Sequence, residues 1–332
     1  MTPQNVNYGL GAIVCFCLAL SAGIAVAATK VQTKDTEPAP SEATTQAPAA
    51  SRIIDPAYAA YDDGRYLTAM ALAKTSAITG DAAANTLVAR LLAEGLGVPR
   101  DRTKAAAWYG KGAELGDANA QFALGLMLAK GDGVLQDKAG AARMFERAAA
   151  KGIAPAKYNL GVLLLSGQGR PQDEIKGAAL IAEAAKAGDP QARYDYAQLL
   201  ISGVGGVWSD SQAAHWMELA AQAGLADAQT EYAIMLFKGR GVAPNPSRAA
   251  WYFTAAAEHG HPVAQNRLAM LYTLGVVYQK DLVTAAKWHL LARSRGVSDF
   301  KLDAIVAGLP PEQRQQAEAD AADWLERNNP AP

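Results

Sequence analysis

The stretch "AKGDGVLQDKAGAA", residues 129–142, combines the residue types of three kinds of loop. Glycines beside an acidic residue, with a lysine following, could cradle a phosphate through backbone amides. Asp132 and Asp137 could instead supply oxygen ligands to calcium. The third alternative is a turn between two helices, in which glycine adopts the left-handed conformation. The first two interpretations predict chemistry at this loop, and the third predicts only a structural role.

The same glycine pair recurs along the chain, and this recurrence decides between the three interpretations. The pairs are Gly95/Gly97, Gly131/Gly133, Gly167/Gly169, Gly203/Gly205 and Gly239/Gly241. A phosphate loop needs one such turn after a strand, with Lys-Ser/Thr opening the next helix, and none of these pairs is followed by that dipeptide. The alternating oxygen ligands and closing glutamate of a calcium loop are also missing. We interpret the stretch as a turn.

The four histidines do not form a recognisable catalytic or metal-binding motif. His259 and His261 lie in "EHGHP", where Glu258 is the only obvious further ligand, so a turn is favoured over a zinc site. His215 and His289 each precede or follow a tryptophan, which favours packing or surface roles. No Ser/His/Asp spacing stands out. We therefore expect no catalytic residue, no metal and no cofactor.

The elements that position these residues follow from a 36-residue repeat. Glycine occurs at 80, 116, 152, 188, 224, 260 and 296, which defines six units: 81–116, 117–152, 153–188, 189–224, 225–260 and 261–296. The fourth position is always alanine, the twenty-fifth is always small and the twenty-eighth is large in every unit. Small and apolar residues fall at helical spacing before and after each glycine pair. Each unit is predicted to be a helical hairpin that buries its apolar face against its neighbours.

The polar residue at the twenty-first position of each unit is predicted to cap the second helix, because short polar side chains accept hydrogen bonds from the free amides of a first turn. These residues are Asp101, Asp137, Asp173, Ser209, Asn245 and Asp281. Residues 53–80 keep the second-helix pattern but leave room only for a short first helix, which is typical of a degenerate terminal unit. Residues 297–328 are predicted to form capping helices, one of which starts at Pro310-Pro311.

With its Ala–LG–G-x-G-V–D–A–W–AA–G order, the repeat resembles the Sel-1-like repeat, a relative of the tetratricopeptide repeat, over about residues 57–296. The resemblance implies an all-α fold: a right-handed superhelix of antiparallel helix pairs, an α-solenoid that binds proteins or peptides on its concave side. One exported subgroup of the family has cysteine pairs in each repeat and is linked to β-lactam binding. This chain has only Cys15 and Cys17, so that activity is not carried over.

The first 52 residues look like an export signal and a tether. Residues 1–28 end an apolar run with Ala25-Val26-Ala27, the A-x-A pattern of a signal-peptidase site, although residues 8–28 could also serve as an uncleaved membrane anchor. Residues 29–52 are rich in Pro, Ala and Thr and predict a disordered linker. We therefore expect export, either to the periplasm or to the outer side of the inner membrane.

The resemblance also places the first helix of each pair on the concave wall, where positions 6, 10 and 13 of the units should face a partner. The candidate partner-binding residues at these positions are Phe122, Leu126, Tyr158, Val162, Tyr194, Ile234 and Phe237. Arg193, Asp195 and Lys157 are expected to supply polar contacts nearby. The alternative is that these side chains only pack neighbouring first helices together. With 31 basic and 32 acidic residues, the chain has no basic field for nucleic acid.

A non-enzymatic scaffold for a protein or peptide partner is therefore the expected function. The alternatives are a cell-wall glycan binder, a structural spacer and, least favoured, a hydrolase or β-lactam-binding protein. A membrane is expected as a partner only through the possible N-terminal anchor.

Overall fold

A computed structural model of the protein describes residues 55–328, and the predicted leader (1–28) and linker (29–52) lie outside this range. Every regular element within it is an α-helix. The helices are α1 Pro56–Asp62, α2 Tyr66–Ile78, α3 Ala82–Glu94, α4 Arg102–Glu114, α5 Ala118–Lys130, α6 Lys138–Ala150, α7 Ala154–Ser166, α8 Glu174–Lys186, α9 Pro190–Ser202, α10 Asp210–Gln222, α11 Ala226–Lys238, α12 Pro246–Glu258, α13 Pro262–Leu274, α14 Leu282–Ser294, α15 Phe300–Gly308 and α16 Pro311–Asn328. None of these helices is long and apolar enough to cross a membrane.

From α3 to α14 the chain alternates between first and second helices of a pair. Each helix packs against the one before it and the one after it, so contacts stay local along the sequence. This is the one-dimensional arrangement of a repeat protein, in which each hairpin buries its apolar face only between neighbours. The predicted all-α solenoid of helix pairs is confirmed.

Capping side chains begin the second helices where the sequence predicts them. Asp137 Oδ1 accepts the Gly140 amide at 2.8 Å, and Asn245 Oδ1 accepts the Arg248 amide at 2.9 Å. Asp101, Asp173, Ser209 and Asp281 accept equivalent bonds at the starts of α4, α8, α10 and α14. The prediction for the twenty-first position is confirmed in all six units.

The two glycines of each pair have different structural roles. Gly131 ends α5 in the left-handed conformation with a φ of 76°, and the first glycine of the other pairs ends its helix in the same way. The second glycine lies against the start of the preceding second helix. A Cβ on Gly133 would lie 2.5 Å from the Arg102 carbonyl carbon, and one on Gly169 would lie 2.4 Å from the Lys138 carbonyl oxygen. The stretch at residues 129–142 is therefore a turn that also joins two repeats.

The core consists largely of alanines that let helix backbones approach closely. The fourth-position alanines, such as Ala84 and Ala228, are completely buried, as are Ala105, Ala213 and Ala249 at the twenty-fifth position. At Gly161, which stands where four of the other units have alanine, an added Cβ would lie 2.9 Å from the Gly177 carbonyl oxygen. Small residues at these positions set the distance between the helices of a pair.

Ala249→Leu is expected to lower the free energy of unfolding by about 1–3 kcal/mol, because the added methylene and methyl groups overpack a filled contact. Ala249 is completely buried in the large cluster that extends from Ala197 to Trp324. Chemical denaturation with a constant m-value measures the loss. A leucine variant as stable as the native chain would show that this contact has unfilled space.

Both ends of the solenoid depart from the repeat. The helix α1 has only 7 residues, as expected for a degenerate first unit. At the other end α16 begins at Pro311 and buries Ala317, Ala321 and Trp324 against the last repeat. His289 is completely buried there and its Nε2 lies 2.9 Å from Asp303 Oδ1 of α15. The histidine thus ties α14 to the terminal helices.

Candidate binding face of the first helices

The first helices α3, α5, α7, α9, α11 and α13 share one stripe that is not fully buried. In α7, for example, Ala156, Leu160 and Leu163 are buried, whereas Asn159 and Val162 are half-buried. The stripe consists of positions 3, 7, 10 and 14 of the units, apart from Leu87 and Asp195 at position 7, which are buried. Positions 6 and 13 lie on its edges. We call this surface the first-helix face. At position 10 all six residues are half-buried: Arg90, Leu126, Val162, Gln198, Ile234 and Met270.

The predicted binding residues of the second and third units lie on this face but also support the core. Phe122 and Leu126 are half-buried and pack against the cluster around Phe145, and the Phe122 and Phe145 ring centroids are 6.0 Å apart. Tyr158 and Val162 pack against the cluster around Ile181. Each of these side chains therefore exposes part of its surface to solvent and packs the other part against a buried cluster.

The remaining apolar candidates continue the same face. Tyr194 and Ile234 are half-buried against the large cluster of the fourth to sixth units. Phe237 is 42% exposed, which makes it the most exposed of the predicted side chains. An apolar and aromatic lane thus runs from α5 to α11 along the first helices.

The structure places Arg193 at the edge of the face, engaged with its own chain. Its Nε donates a hydrogen bond to the Ala185 carbonyl at 3.3 Å, at the end of the preceding second helix. Gln121, Gln229 and Gln265 occupy the same position in their units, and their amide nitrogens donate to the carbonyls of Ala113, Ala221 and Ala257. In these four units the fifth position therefore caps the preceding helix, a role that its long polar side chains could have indicated.

Position 6 also connects neighbouring layers. The Tyr158 hydroxyl donates to Asp195 Oδ2 of the next first helix at 2.7 Å. Thr86 Oγ1 lies 3.0 Å from Asp117 Oδ1, and Thr230 Oγ1 lies 3.1 Å from His261 Nδ1, so the threonines reach the cap of the next unit. The aromatic side chains at position 6 of the second to fourth units, Phe122, Tyr158 and Tyr194, form an aromatic ladder. This ladder is thus partly an inter-repeat contact.

Asp195, which the sequence indicates only as a nearby polar group, is a buried carboxylate in the middle of the first-helix face. It is 8% exposed. Its Oδ2 accepts the Tyr158 hydroxyl, and its Oδ1 accepts the Gln191 amide at 3.1 Å. Burial raises the pKa of Asp195 above its ordinary value, and these two hydrogen bonds partly oppose the rise.

Two further carboxylates, Asp227 and Glu231 of the next first helix, affect the pKa of Tyr194 electrostatically. Burial raises the pKa of the Tyr194 phenol, and the negative charges of Asp227, Glu231 and Asp195 raise it further, against a lowering by Gln198. Asp195 and Glu231 share position 7 of successive units, and Asp227 lies one helical turn before Glu231. That shared register is the sequence signal that would have located them.

Asp195→Asn is expected to stabilise the protein at neutral pH relative to the native chain. The pKa of Asp195 is raised in the folded state. The contribution of Asp195 to the free energy of unfolding is therefore complete below its unfolded pKa of about 3.9. That contribution is lost as pH rises through the folded-state pKa. The melting temperature of the variant should therefore exceed that of the native chain by more at pH 7 than at pH 4. A difference in melting temperature that does not change with pH would contradict the raised pKa of Asp195.

The residues considered for metal binding have other partners. His261 caps α13, with its Nδ1 accepting the Ala264 amide at 3.2 Å and its Nε2 lying 3.0 Å from Asp227. Asp132 forms an ion pair with Arg102 at 3.0 Å. Among residues 55–328 no group of three or more His, Cys, Asp or Glu side chains could hold a metal ion.

Comparison with known proteins identifies the repeat. The model of the Sel1 repeat matches six consecutive segments, residues 82–117, 118–153, 154–189, 190–225, 226–261 and 262–297. The protein belongs to the Sel1 repeat family. The matched segments begin one residue after the units defined by the glycines, so the same six hairpins are recognised.

Solved structures agree with this assignment. A Sel1 repeat protein from Oxalobacter formigenes is 27% identical with a TM-score of 0.63, over 73% of this chain and 97% of that one. The protective antigen c5321 of uropathogenic Escherichia coli, which displays an SLR fold, is 24% identical with a TM-score of 0.57, over 83% of this chain and 68% of that one. No curated protein matches the chain. The chain is thus a Sel1-repeat helical scaffold, an architecture generally used for protein–protein interaction.

Proposed function

We propose that this Sel1-repeat protein is a non-enzymatic scaffold of the bacterial cell envelope that holds a segment of a partner protein on its first-helix face. The observation that carries the proposal is the lane of half-buried apolar and aromatic side chains from Phe122 to Phe237, which successive units place side by side. Large aromatic side chains provide contact area at a low cost in frozen rotors.

The location in the envelope rests on the apolar leader that ends in Ala25-Val26-Ala27. An exported scaffold would meet partners in the periplasm or at the membrane surface. Mass spectrometry of the native protein tests this part separately, since cleavage should remove about the first 27 residues.

Site-specific photo-crosslinking tests the binding face. A photoreactive phenylalanine is placed at Val162 or Ile234 on the first-helix face, and at Ile175 or Trp251 as controls. The controls lie on second helices and are 72% and 61% exposed. In envelope extract, the two first-helix positions should capture the same protein, which must then bind the purified scaffold at one-to-one stoichiometry. Equal capture from the control positions, or none from the face, would refute the proposal.

A glycan is a second candidate ligand because of one feature at the last repeat. The rings of Tyr272 and Tyr278 stack with centroids 4.8 Å apart, beside an open cleft of about 680 Å³ that Gln279 and Gln313 also line. Aromatic faces next to amide groups suit sugar rings. Co-sedimentation with purified cell-wall sacculi, which should disappear on Tyr278→Ala, tests this candidate.

A further inference from the structure

The glycine turns join neighbouring repeats through one recurring contact. The second glycine of each pair lies against position 22 of the preceding unit, which is the first residue of a second helix. A Cβ on Gly205, for example, would lie 3.1 Å from the Glu174 carbonyl oxygen. The equivalent glycines are Gly97, Gly133, Gly169 and Gly241, which lie against Tyr66, Arg102, Lys138 and Asp210. The starts of α2, α4, α6, α8 and α10 are therefore each covered by the glycine turn of the next unit.

The start of α14 is the corresponding surface of the last unit, and no glycine turn covers it in the described part of the chain. Residues 297–328 include α15 and α16 and contain no glycine pair. An open cleft of about 680 Å³ lies at this place, lined by Leu282 as the first residue of α14, by the stacked tyrosine pair described above and by Gln313 of α16. None of the residues that line the cleft belongs to the first-helix face. The cleft thus lies where the glycine turn of a following unit would pack.

The residue at position 22 indicates which residue stands between the two glycines of the turn that covers it. Three of the five contacts are polar, and their pairs are Arg102 with Asp132, Lys138 with Gln168, and Asp210 with Arg240. One contact is apolar, since Tyr66 and Leu96 pack against the same buried cluster. Glu174 and Val204 are the one pair without complementary chemistry. Because Leu282 is apolar and half-buried, its complement is a turn with an apolar residue between the glycines.

We propose that the cleft at the start of α14 binds a turn of a partner protein in which an apolar residue stands between two glycines. The second glycine is needed because the turn would approach the backbone of α14, where a Cβ would clash as it does at Gly133. The apolar residue of the turn would pack on Leu282, beside the Tyr272 and Tyr278 rings. This is a second binding site, and it does not depend on the function proposed for the first-helix face.

A cyclic peptide made from one of the chain's own turns tests the inference. In segment 92–101 the Asp101 amide donates to the Leu92 carbonyl at 2.9 Å, so the two ends lie together and can be joined. Fluorescence anisotropy compares three labelled peptides, which carry the native sequence, Leu96→Asp or Gly97→Ala. With the native protein, the Gly97→Ala peptide should bind about tenfold or more weakly than the native peptide, because its added methyl group overpacks the contact. The Leu96→Asp peptide should bind about fivefold or more weakly, because it places a charge against an apolar surface.

Variants of the protein locate the binding site. Gln313→Trp fills the cleft from α16 and should abolish binding of the native peptide, whereas Gln315→Trp, on the same helix but not lining the cleft, should leave it unchanged. Both glutamines are exposed, so both variants should keep the native melting temperature. Leu282→Arg copies Arg102 at the same position of the first unit and should reverse the preference between peptides. The Leu96→Asp peptide should then bind about two- to fivefold more tightly than the native peptide, as expected for a partly exposed ion pair.

The opposite results would overturn the inference. Equal affinity of the native and Gly97→Ala peptides, or native binding by the Gln313→Trp variant, would show that the cleft does not take a glycine turn. A lack of binding by every peptide at about 1 mM, the range of weak association, would have the same consequence. Sacculi that then co-sediment with the native protein but not with Gln313→Trp would assign the cleft to a glycan instead. The crosslinking positions Val162 and Ile234 lie on the first-helix face, so capture of a protein there is decided separately.

Discussion

Gly241→Ala is expected to lower the free energy of unfolding by about 2–5 kcal/mol, from left-handed backbone strain together with a steric clash. Gly241 has a φ of 69°, and a Cβ there would lie 2.0 Å from the carbonyl oxygen of Asp210, at the start of the preceding second helix. The clash is with backbone rather than with a flexible side chain, since the Asp210 carbonyl carbon and the Ser211 amide nitrogen also lie 2.4 and 3.0 Å from that position. Denaturant titration measures the change.

Gly206→Ala is the matched control. Gly206 also has a positive φ, 82°, but no atom lies within 4 Å of the position that its Cβ would take. Its substitution should therefore cost only the conformational strain, about 1–2 kcal/mol. If both variants lose the same amount, the close approach between repeats does not explain why the second glycine is present.

The last unit shows what happens when that glycine is missing. Val277 replaces it, and the loop there continues with Tyr278, whose hydroxyl lies 2.9 Å from Thr254 Oγ1 of α12. A side-chain hydrogen bond thus joins the last two units near the point where other units use backbone contact. The stacked Tyr272 and Tyr278 rings, and the cleft beside them, lie in this last unit.

The regular part of the fold could be predicted from the sequence because helix capping and close helix packing each depend on residues of a single unit. A cap such as Asp137 needs only its own helix, and a small residue such as Ala249 needs only its own hairpin. Contacts between units were harder to predict. The capping role of Arg193 depends on where the preceding helix ends in space, and the burial of Asp195 depends on how Tyr158 of another unit lies across it.

The same limit applies to the candidate binding residues. Apolar side chains at position 6 suit both a binding surface and the contact between first helices, so residue type alone does not separate the two roles. In the structure Tyr158 and Tyr194 are half-buried, which allows both. Because each of these side chains is partly buried and partly exposed, its substitution can affect both stability and binding. Both quantities must therefore be measured on the same variants.

The combined substitution Tyr158→Ala with Tyr194→Ala is expected to weaken binding of the partner segment by about 2 kcal/mol or more, since buried aromatic residues dominate the energetics of interfaces. Both rings also pack against buried clusters, and Tyr158 holds Asp195. The protein should therefore also lose roughly 2–4 kcal/mol of stability through unfilled space. Calorimetric titration at a temperature where the variant remains folded, together with a thermal melt, measures the two effects separately.

Thr230→Ala is the control that distinguishes the loss of a contact between repeats from the loss of the binding surface. Thr230 occupies the same position in its unit, is buried, and its hydroxyl lies against His261 of the next unit. Its substitution should cost about 1 kcal/mol of stability through the lost hydrogen bond, with affinity for the partner unchanged. If the double tyrosine variant behaves in the same way, destabilised but with native affinity, the aromatic ladder only packs repeats together and the partner binds elsewhere. If affinity falls in the tyrosine variant alone, the side chains that join the first helices also form the binding surface. The stability of the solenoid and its recognition of a partner would then depend on the same two rings.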